Sequence, residues 1–474
     1  MNLHRQFISR NLPVNRRFLT LLRFVRNDTI EIPPMNSIFN CNRISIKKFL
    51  SKSNRAMKAI NLISVFGAFI FFIQMPEIFS QPTGSWLASP ETVKRLSEKT
   101  SGINYYENRV PSYSLPDVLT SVEGQKITNS RKWMKVRRPE ILELFRENVY
   151  GRVPVTPYVK VFRLVNEERE AMGGNATLRQ VDILITSHGD TLPIHLILFV
   201  PNKIPKPVPA FLLIDNRGPE NRDPTRKITT EFWPAEQIVA RGYAAAVFSN
   251  ADIDPDYFDD FKNGIHGLLD IGNRKPDSWG TIAAWAWGAS RCMDYLVTDR
   301  DIDSTRVALV GHSRGGKTAL WTGAEDQRFS LIVANESGCG GSALARRRYG
   351  ETIARITDAF PHWFCANYKK WANNEDKMPL DMHMLVSLIA PRGVYITSAA
   401  EDLWADPKGS YISLYNATPV FRLFDPETNL SEFMPPLNEP VSTGKVAYHI
   451  REGEHNMLLR DWNWFMDFAD RILK

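Results

Sequence analysis

The sequence predicts an α/β fold, in which helices cover both faces of a mostly parallel central sheet with an antiparallel hairpin at its edge. Two observations carry this prediction. Apolar residues alternate at period two over 181–185 and again over 194–200, on either side of the polar segment 187–190, which is typical of a hairpin. The runs 210–214 and 244–248 are instead continuously apolar, as expected for parallel strands buried on both faces.

The remaining elements follow from hydrophobic periodicity. Segment 132–150 has the pattern of an early helix, and a helix at 232–241 joins the two buried runs into a βαβ unit. Beyond them we predict a helix at 279–297, strands at 307–310, 331–334, 394–397 and 446–450, and a C-terminal helix with Leu458, Trp462, Phe465, Ala469 and Ile472 on one face. A hairpin followed by alternating strands and helices is the layout of an α/β-hydrolase three-layer sandwich. We assign 81–474 to a single domain of this kind.

The basic charge of the chain is confined to its start. Residues 1–57 contain eleven Lys or Arg and only two acids, Asp28 and Glu31, so the formal net charge of +7 leaves a nearly neutral body. A neutral body lacks the basic footprint of a nucleic-acid-binding protein, and we expect no nucleic-acid partner.

The residues before the body have the pattern of a targeting leader. An apolar run, 59–73, follows Met57 and has the length of a signal-peptide core, short of the ~20 residues that span a bilayer. We interpret 1–56 as a basic leader outside the true protein and 57–80 as a signal peptide cleaved near Ser80. The product would be periplasmic or secreted, without stable membrane association. The alternative is an uncleaved anchor with a basic cytoplasmic tail.

Cysteine content and motif spacing point to no metal site. Cys41 lies in the leader, and Cys292, Cys339 and Cys365 permit at most one disulfide. We take the three as unpaired apolar residues, with a bridge between Cys292 and Cys339 as the alternative. Because no C-x-x-C or H-E-x-x-H spacing occurs, we predict neither a metal nor a cofactor, and we expect a monomer.

The most informative stretch of the chain is the motif G-H-S-R-G at 311–315, which depends on its context because G-x-S-x-G alone is a weak signal. The apolar run 307–310 enters it and a helical segment, 317–322, leaves it. This strand–turn–helix context is the one that a nucleophile elbow requires, with the serine in a strained conformation and small residues two positions to either side. Ser313 is therefore the candidate nucleophile of a serine hydrolase.

A serine nucleophile needs a base, and the base needs an acid that orients it. In this fold the chain order is serine, then acid, then histidine. His455 falls in the loop between the last predicted strand and the last helix, where the base should project, and we predict it as the base. Glu336 and Asp402 each follow a predicted strand, and either could be the acid.

Longer stretches of the chain resemble the glucuronoyl esterase family of carbohydrate esterases. The similarity is carried by G-H-S-R-G-G-K at 311–317, N-E-S-G-C-G-G at 335–341, E-D-L-W-A-D-P at 401–407 and E-H at 454–455, and it extends from about residue 86 to the C-terminus. Members of the family carry a G-x-S-R-x-G-K elbow. The resemblance implies a serine carboxylic ester hydrolase acting on esters of 4-O-methyl-glucuronic acid, such as cross-links between xylan and lignin.

The resemblance also implies catalytic roles. Ser313 matches the nucleophile and His455 the base, Glu336 matches the usual acid, and Asp402 matches an alternative acid of bacterial members. Because this chain has both acids, the sequence does not decide which of the two orients the base. His312 stands where fungal members have a disulfide-forming cysteine, so that bridge is absent here.

Four further residues have implied roles at the substrate. Arg314 would stabilise the oxyanion through its guanidinium and its backbone N–H, and Lys317, Glu351 and Trp404 match positions that bind the hydroxyls and ring of the uronic acid. The residue chemistry agrees, because a cation at a helix N-terminus is disfavoured by the helix dipole and so suggests a functional reason. Lys317 is one helical turn beyond Ser313, and we expect its ammonium at the mouth of the same pocket.

Two other functions fit parts of the pattern. An acetyl xylan or feruloyl esterase would use the same triad, but an acetyl group favours a small apolar pocket rather than cationic residues. A non-catalytic carbohydrate-binding protein of the hydrolase fold would be expected to show a broken triad, whereas this one is intact.

Overall fold

A ten-stranded mixed sheet forms the centre of residues 86–474, the part of the chain that the computed structural model describes. In chain order its strands are β1 (Val159–Glu170), β2 (Ala176–Ser187), β3 (Asp190–Pro201), β4 (Val208–Asp215), β5 (Ala244–Ser249), β6 (Ile302–His312), β7 (Leu331–Asn335), β8 (Gly393–Ala399), β9 (Val441–Thr443) and β10 (Val446–Arg451).

The strands lie in the spatial order β1-β2-β3-β5-β4-β6-β7-β8-β10-β9. The six strands from β5 to β10 in this order pair in parallel, whereas β1, β2, β3 and β5 pair antiparallel in succession and β9 pairs antiparallel with β10. The predicted fold class is therefore confirmed. Because parallel neighbours end at one edge of the sheet, the loops after β6, β7, β8 and β10 meet there.

Helices cover the sheet on both faces. In chain order the helices of the described residues are α1 (Pro90–Lys99), α2 (Ser130–Lys132), α3 (Arg138–Phe145), the single turn α4 (Ala171–Gly174), α5 (Ala235–Ala240), α6 (Gly264–Leu269), α7 (Thr281–Leu296), α8 (Arg314–Glu325), α9 (Ile353–Ala359), α10 (Met382–Ser387), α11 (Pro407–Arg422) and α12 (Leu459–Leu473); α1 packs in a small separate cluster rather than on the sheet. Two π-helical turns, Trp133–Arg137 and Arg146–Tyr150, join and extend α2 and α3, so the early helix predicted at 132–150 is present as one continuous segment.

Side chains of the central strands alternate between two cores, one on each face of the sheet. On β4, Ala210, Leu212 and Ile214 pack in one core, whereas Phe211 and Leu213 pack in the other. Helices α7, α8, α10 and α11 contribute to the first core, and α5 and α12 contribute to the second. Burial on both faces explains the continuous apolar runs.

The sheet extends further than the sequence predicts. The hairpin forms between β2 and β3, but β1 lies outside it and is the edge strand. Because β1 is largely exposed and its second half, 165–170, is mostly charged, it lacks the sustained alternation by which strands are recognised. The helix predicted from residue 232 begins only at Ala235, directly after Pro234.

The predicted leader and signal peptide, residues 1–80, lie outside the described residues. Between residues 86 and 474 no helix combines the length and apolarity that crossing a membrane requires. Cys292, Cys339 and Cys365 are buried and free, as predicted, and the alternative bridge between the first two does not form.

Candidate active site

The backbone at Ser313 has the conformation of a nucleophile elbow. β6 ends at His312 and α8 starts at Arg314, and Ser313 between them has φ 57° and ψ −122°, a combination that L-residues rarely adopt. The Ser313 N–H donates to the carbonyl oxygen of Asn335, at the end of β7, over 2.9 Å. The turn therefore lies at the carboxyl edge of the sheet, as the motif predicts.

The two glycines that flank Ser313 are not equally constrained. A Cβ on Gly311 would lie 2.0 Å from the carbonyl oxygen of Gly315, so the strand can pass the helix only without a side chain. A Cβ on Gly315 would lie 3.3 Å from Asn216 Oδ1, which is a tight contact with the end of a side chain. The need for a small residue is therefore strict at Gly311 and weaker at Gly315.

His455 lies in the loop between β10 and α12, where two carboxylates reach the same ring nitrogen. Asp402 Oδ2 is 2.7 Å from His455 Nδ1, and Glu336 Oε2 is 3.0 Å from it. Carboxylates at Nδ1 hold the proton on that atom and leave Nε2 free to accept another. The structure thus brings both candidate acids to the candidate base.

The two carboxylates alter the protonation of His455. Burial lowers the pKa of the imidazole, but the charges and hydrogen bonds of Asp402 and Glu336 outweigh burial and raise the pKa to about 10. Burial raises the pKa of Glu336 to about 7; the charge of Asp402 adds to this increase, and His455 and Arg451 oppose it. The side chain of His455 is 40% exposed, so water screens part of these interactions.

Glu336 is also anchored independently of His455. Arg451 Nη2 donates to Glu336 Oε1 at 2.7 Å, and the backbone N–H of Asn456 donates to Oε2 at 2.9 Å. Arg451 is 1% exposed and also lies 3.2 Å from Asp461 Oδ2. Sequence reasoning missed Arg451; the available signal was a cation at the end of a buried strand, four residues before the candidate base.

The side chain of Arg314 is held by an acid that the motifs do not single out. Arg314 Nη1 pairs with Asp256 Oδ2, and the guanidinium lies 5.1 Å from the ring centre of Trp363. Asp256 Oδ1 accepts from Trp363 Nε1 at 2.7 Å and is 3.2 Å from His362 Nε2. The guanidinium is therefore fixed against one wall of the site. No sequence signal marks Asp256, because it lies in an irregular segment between β5 and α6.

Lys317 lies in the wall of the site, which corrects the expectation that its ammonium is at the mouth. It is 4% exposed, because the first turn of α8 packs against the loop after β7. Lys317 Nζ donates to the carbonyl oxygen of Ser337 at 2.7 Å and is 3.6 Å from Glu351 Oε2. Burial raises the pKa of Glu351, and the Lys317 charge opposes this. The Glu351 N–H donates to the carbonyl oxygen of Trp404 at 2.9 Å, which joins the three predicted substrate residues.

One cavity gathers all of the candidate residues. Its volume is about 290 Å³, at the lower end of ligand pockets, which suits a monosaccharide-sized group rather than a polymer. It is lined by Ser313, Arg314, Lys317, Glu336, Gly338, Glu351, Phe360, Trp363, Asp402, Trp404, Ala405 and His455. A larger cavity of about 620 Å³, beside β3 and α5, contains none of the candidate residues, so chemistry rather than size identifies the site.

Three residues of the site region have the spacing of metal ligands. Ligand atoms of His312, Glu336 and His455 lie within 4.8 Å of one another, the one such group in the described residues. Arg451 and the N–H of Asn456 already occupy the Glu336 oxygens. A metal cation would also meet the Arg451 charge at close range, so this group fits a hydrogen-bonded acid–base site better than a metal site.

Comparison with known proteins identifies the family of the chain. A model of the fungal glucuronyl esterase family matches residues 184–425. A carbohydrate esterase of an unknown prokaryotic organism is 39% identical over 415 residues, covering 81% of this chain and 94% of that protein. The chain belongs to the glucuronoyl esterase family.

Two further relatives connect the family to solved structures and to fungal enzymes. The structure of a glucuronoyl esterase from Solibacter usitatus has a TM-score of 0.73 and 39% identity, and the match covers 77% of this chain and 100% of that one. A 4-O-methyl-glucuronoyl methylesterase of Podospora anserina is 28% identical over 308 residues, 63% of this chain and 57% of that protein. As a family member the chain is a carbohydrate esterase with the α/β-hydrolase fold.

Proposed function

We propose that this glucuronoyl esterase hydrolyses esters in which 4-O-methyl-glucuronic acid is the acyl group, as in cross-links between xylan and lignin. Ser313 is the nucleophile, His455 is the base, and Asp402 and Glu336 orient the base. The single observation that carries the proposal is the shared cavity, which joins a strained serine and a carboxylate-held histidine to buried polar residues.

The reaction proceeds through a glucuronoyl-enzyme intermediate. Ser313 Oγ attacks the ester carbonyl carbon while its proton passes to Nε2 of His455. The tetrahedral intermediate collapses, the bond to the alcohol oxygen breaks, and His455 gives its proton to that oxygen. Water, deprotonated by His455, then attacks the acyl carbon, and Ser313 leaves with the proton. The products are the free uronic acid and the alcohol.

The negative charge of the tetrahedral intermediate develops beside the start of α8. The first N–H groups of a helix have no partner within the helix, so the Arg314 N–H can donate to the oxyanion. The Arg314 guanidinium, held by Asp256, adds a positive charge to the same wall. Losing one donor to an oxyanion typically costs about 3–4 kcal/mol of transition-state stabilisation.

The acyl side of the cavity suits a polar sugar acid. Lys317 and Glu351 are buried and contact each other, and both line the cavity. Each can therefore exchange this contact for hydrogen bonds to ring hydroxyls of the substrate. Trp404 is half-buried and offers an aromatic face for the ring. An acetyl group has no hydroxyls with which to bond Lys317 and Glu351 and would gain nothing from these polar groups, which disfavours an acetyl esterase.

Hydrolysis of benzyl glucuronate, measured beside p-nitrophenyl acetate, tests this function. The unmodified protein should have a clearly higher kcat/KM for the glucuronate ester, because only that substrate can use Lys317, Glu351 and Trp404. Ser313→Ala is the control for background hydrolysis. Activity on the acetate alone would retain the triad and reject the substrate, and inactivity on both would favour a binding protein.

We further propose that the enzyme is exported after cleavage near Ser80, with 81–474 as the catalytic domain. The support is the length of the apolar run 59–73. N-terminal sequencing of the mature protein recovered from the cell exterior or the periplasm tests it. A mature N-terminus near residue 81 is expected, and retention of 59–73 would contradict the proposal.

A further inference from the structure

The residue before Ser313 packs against the candidate base. The ring centres of His312 and His455 are 4.4 Å apart, with an angle of 40° between the ring planes. His312 is 2% exposed and is the last residue of β6, whereas His455 lies in the β10–α12 loop. This contact therefore joins the segment that carries the nucleophile to the loop that carries the base.

Hydrogen bonds at both ring nitrogens fix the state of His312. Asn335 Nδ2 donates to Thr397 Oγ1 at 2.6 Å, which directs Asn335 Oδ1 toward His312 Nδ1 at 2.5 Å. Arg217 Nη2 lies 3.3 Å from His312 Nε2, and a guanidinium can only donate. His312 therefore carries one proton, on Nδ1, and is neutral.

Arg217 connects His312 to the loop of the base. The Nη2 that faces His312 also donates to Asn456 Oδ1 at 2.8 Å, and Asn456 directly follows His455. The guanidinium lies 4.3 Å from the ring centre of Phe232, over the ring face. One cation thus contacts the elbow side and the base side of the site at the same time.

We propose that His312 and Arg217 are positioning residues for the base: Arg217 holds the neutral His312 ring against His455, and this support keeps His455 Nε2 aligned with Ser313. The inference rests on the proposed role of His455. During the reaction His455 becomes positively charged when it accepts the serine proton. The face of a neutral aromatic ring attracts such a charge, whereas a second charged imidazole would repel it.

A positioning role differs measurably from a packing role. A ring that only fills space affects the free energy of unfolding and leaves the kinetics of the folded fraction unchanged. A ring that aligns the base affects kcat, because misplacement of a catalytic group by about 1 Å can reduce the rate about 100-fold. Neither His312 nor Arg217 lines the cavity, so KM should change little.

Steady-state kinetics of His312→Phe on benzyl glucuronate test the proposal. Phenylalanine keeps a ring but cannot donate to Asn335 or accept from Arg217. We expect kcat to fall about 10- to 100-fold, with KM within about twofold. The matched control is His383→Phe, because His383 is 1% exposed, hydrogen-bonds the carbonyl oxygen of Pro116 at 2.9 Å and does not line the cavity. Its kcat should equal that of the unmodified protein.

Arg217→Met keeps the proposal testable if His312→Phe does not fold, because Arg217 is exposed and its replacement disturbs less of the core than that of the buried His312. We expect kcat to fall here too, Arg217→Lys to recover only part of it, and the double variant to be no slower than His312→Phe, because the changes act through one contact. Unchanged kcat in both single variants, or losses that multiply, would overturn the proposal. If the unmodified protein does not hydrolyse benzyl glucuronate, it is the proposed function that fails instead.

Discussion

The two halves of the site are built in different ways. The nucleophile half depends on the backbone: Ser313 is held at φ 57°, and Gly311 has no room for a Cβ. The acid half depends on side chains, since Asp402 and Glu336 arrive from different loops and reach one nitrogen of His455. No other residue can replace a group whose position is set by the backbone. Where two carboxylates contact the same nitrogen, one of them can still act when the other is removed, and we call this second carboxylate the reserve.

The largest expected effect tests the half without a reserve. Ser313→Ala should lower kcat on benzyl glucuronate by about 10⁴- to 10⁶-fold, because no second nucleophile occupies the elbow. Alanine fits the same backbone, so the midpoint of thermal unfolding should stay close to that of the unmodified protein. Activity above about 1% of the unmodified rate in a folded variant would reject Ser313 as the nucleophile.

The reserve in the acid half predicts smaller losses for single variants. Asp402→Ala should lower kcat by about 100-fold and Glu336→Ala by less, because Asp402 makes the shorter contact with His455 and Glu336 is shared with Arg451. The double variant should lose about 10⁴-fold, since Nδ1 then has no carboxylate. Initial rates on benzyl glucuronate measure all three variants.

Glu401→Ala is the control for this series, because Glu401 adjoins Asp402 but pairs with Arg95 at the surface. Its kcat should stay within about twofold of the unmodified value, since exposed ion pairs contribute little. The opposite ranking of the single variants would make Glu336 the main acid. If one single variant were as slow as the double variant, the remaining carboxylate would not be able to replace the missing one.

The contrast between the flanking glycines gives a stability test of the backbone half. Gly311→Ala should reduce the free energy of unfolding by about 3 kcal/mol, because the new methyl group would overlap the backbone of Gly315. Gly315→Ala should cost about 1 kcal/mol or less, because Asn216 can move aside. Urea denaturation followed by fluorescence gives both values. Equal costs would mean that the elbow is not limited by this contact.

The half built from backbone is also the half that the sequence predicts most completely. The strand, the turn at Ser313 and the helix are contiguous, so one short motif specifies them. The buried strands around them are predicted for a similar reason, because burial on both faces imposes an unbroken apolar run such as 210–214. The edge strand β1 faces solvent and shows no such pattern.

For the half built from side chains, the sequence predicts which residues take part but not which of them touch. The sequence places Glu336 and Asp402 at strand ends but cannot show that both contact His455, because that depends on loops from separate strands. Arg451 and Asp256 were missed for the same reason, since each acts through a partner far along the chain. The position of Lys317 was wrong because helical spacing gives its direction and not its depth.

The smallest expected effect, a shift along the pH axis, shows how the two carboxylates share the base. His455 must be neutral to accept the serine proton, and the carboxylates stabilise its charged form, raising its pKa to about 10. The acid limb of kcat/KM should therefore lie on the alkaline side of the ordinary histidine value of about 6.5. Asp402→Asn removes the largest favourable charge and should move this limb to lower pH by about one unit.

Glu336 limits that shift. Removing the Asp402 charge also lowers the pKa of Glu336 from about 7, so Glu336 ionises at lower pH and continues to stabilise the charged imidazole. Asp402→Asn should consequently leave the limb above about 6.5, and only the double variant with Glu336→Gln should bring it to about 6.5 or below, because burial lowers the pKa of His455. Profiles of kcat/KM on benzyl glucuronate between pH 5 and 10 separate these cases. A limb that moves upward in Asp402→Asn would show that Asp402 does not act on His455 as an anion.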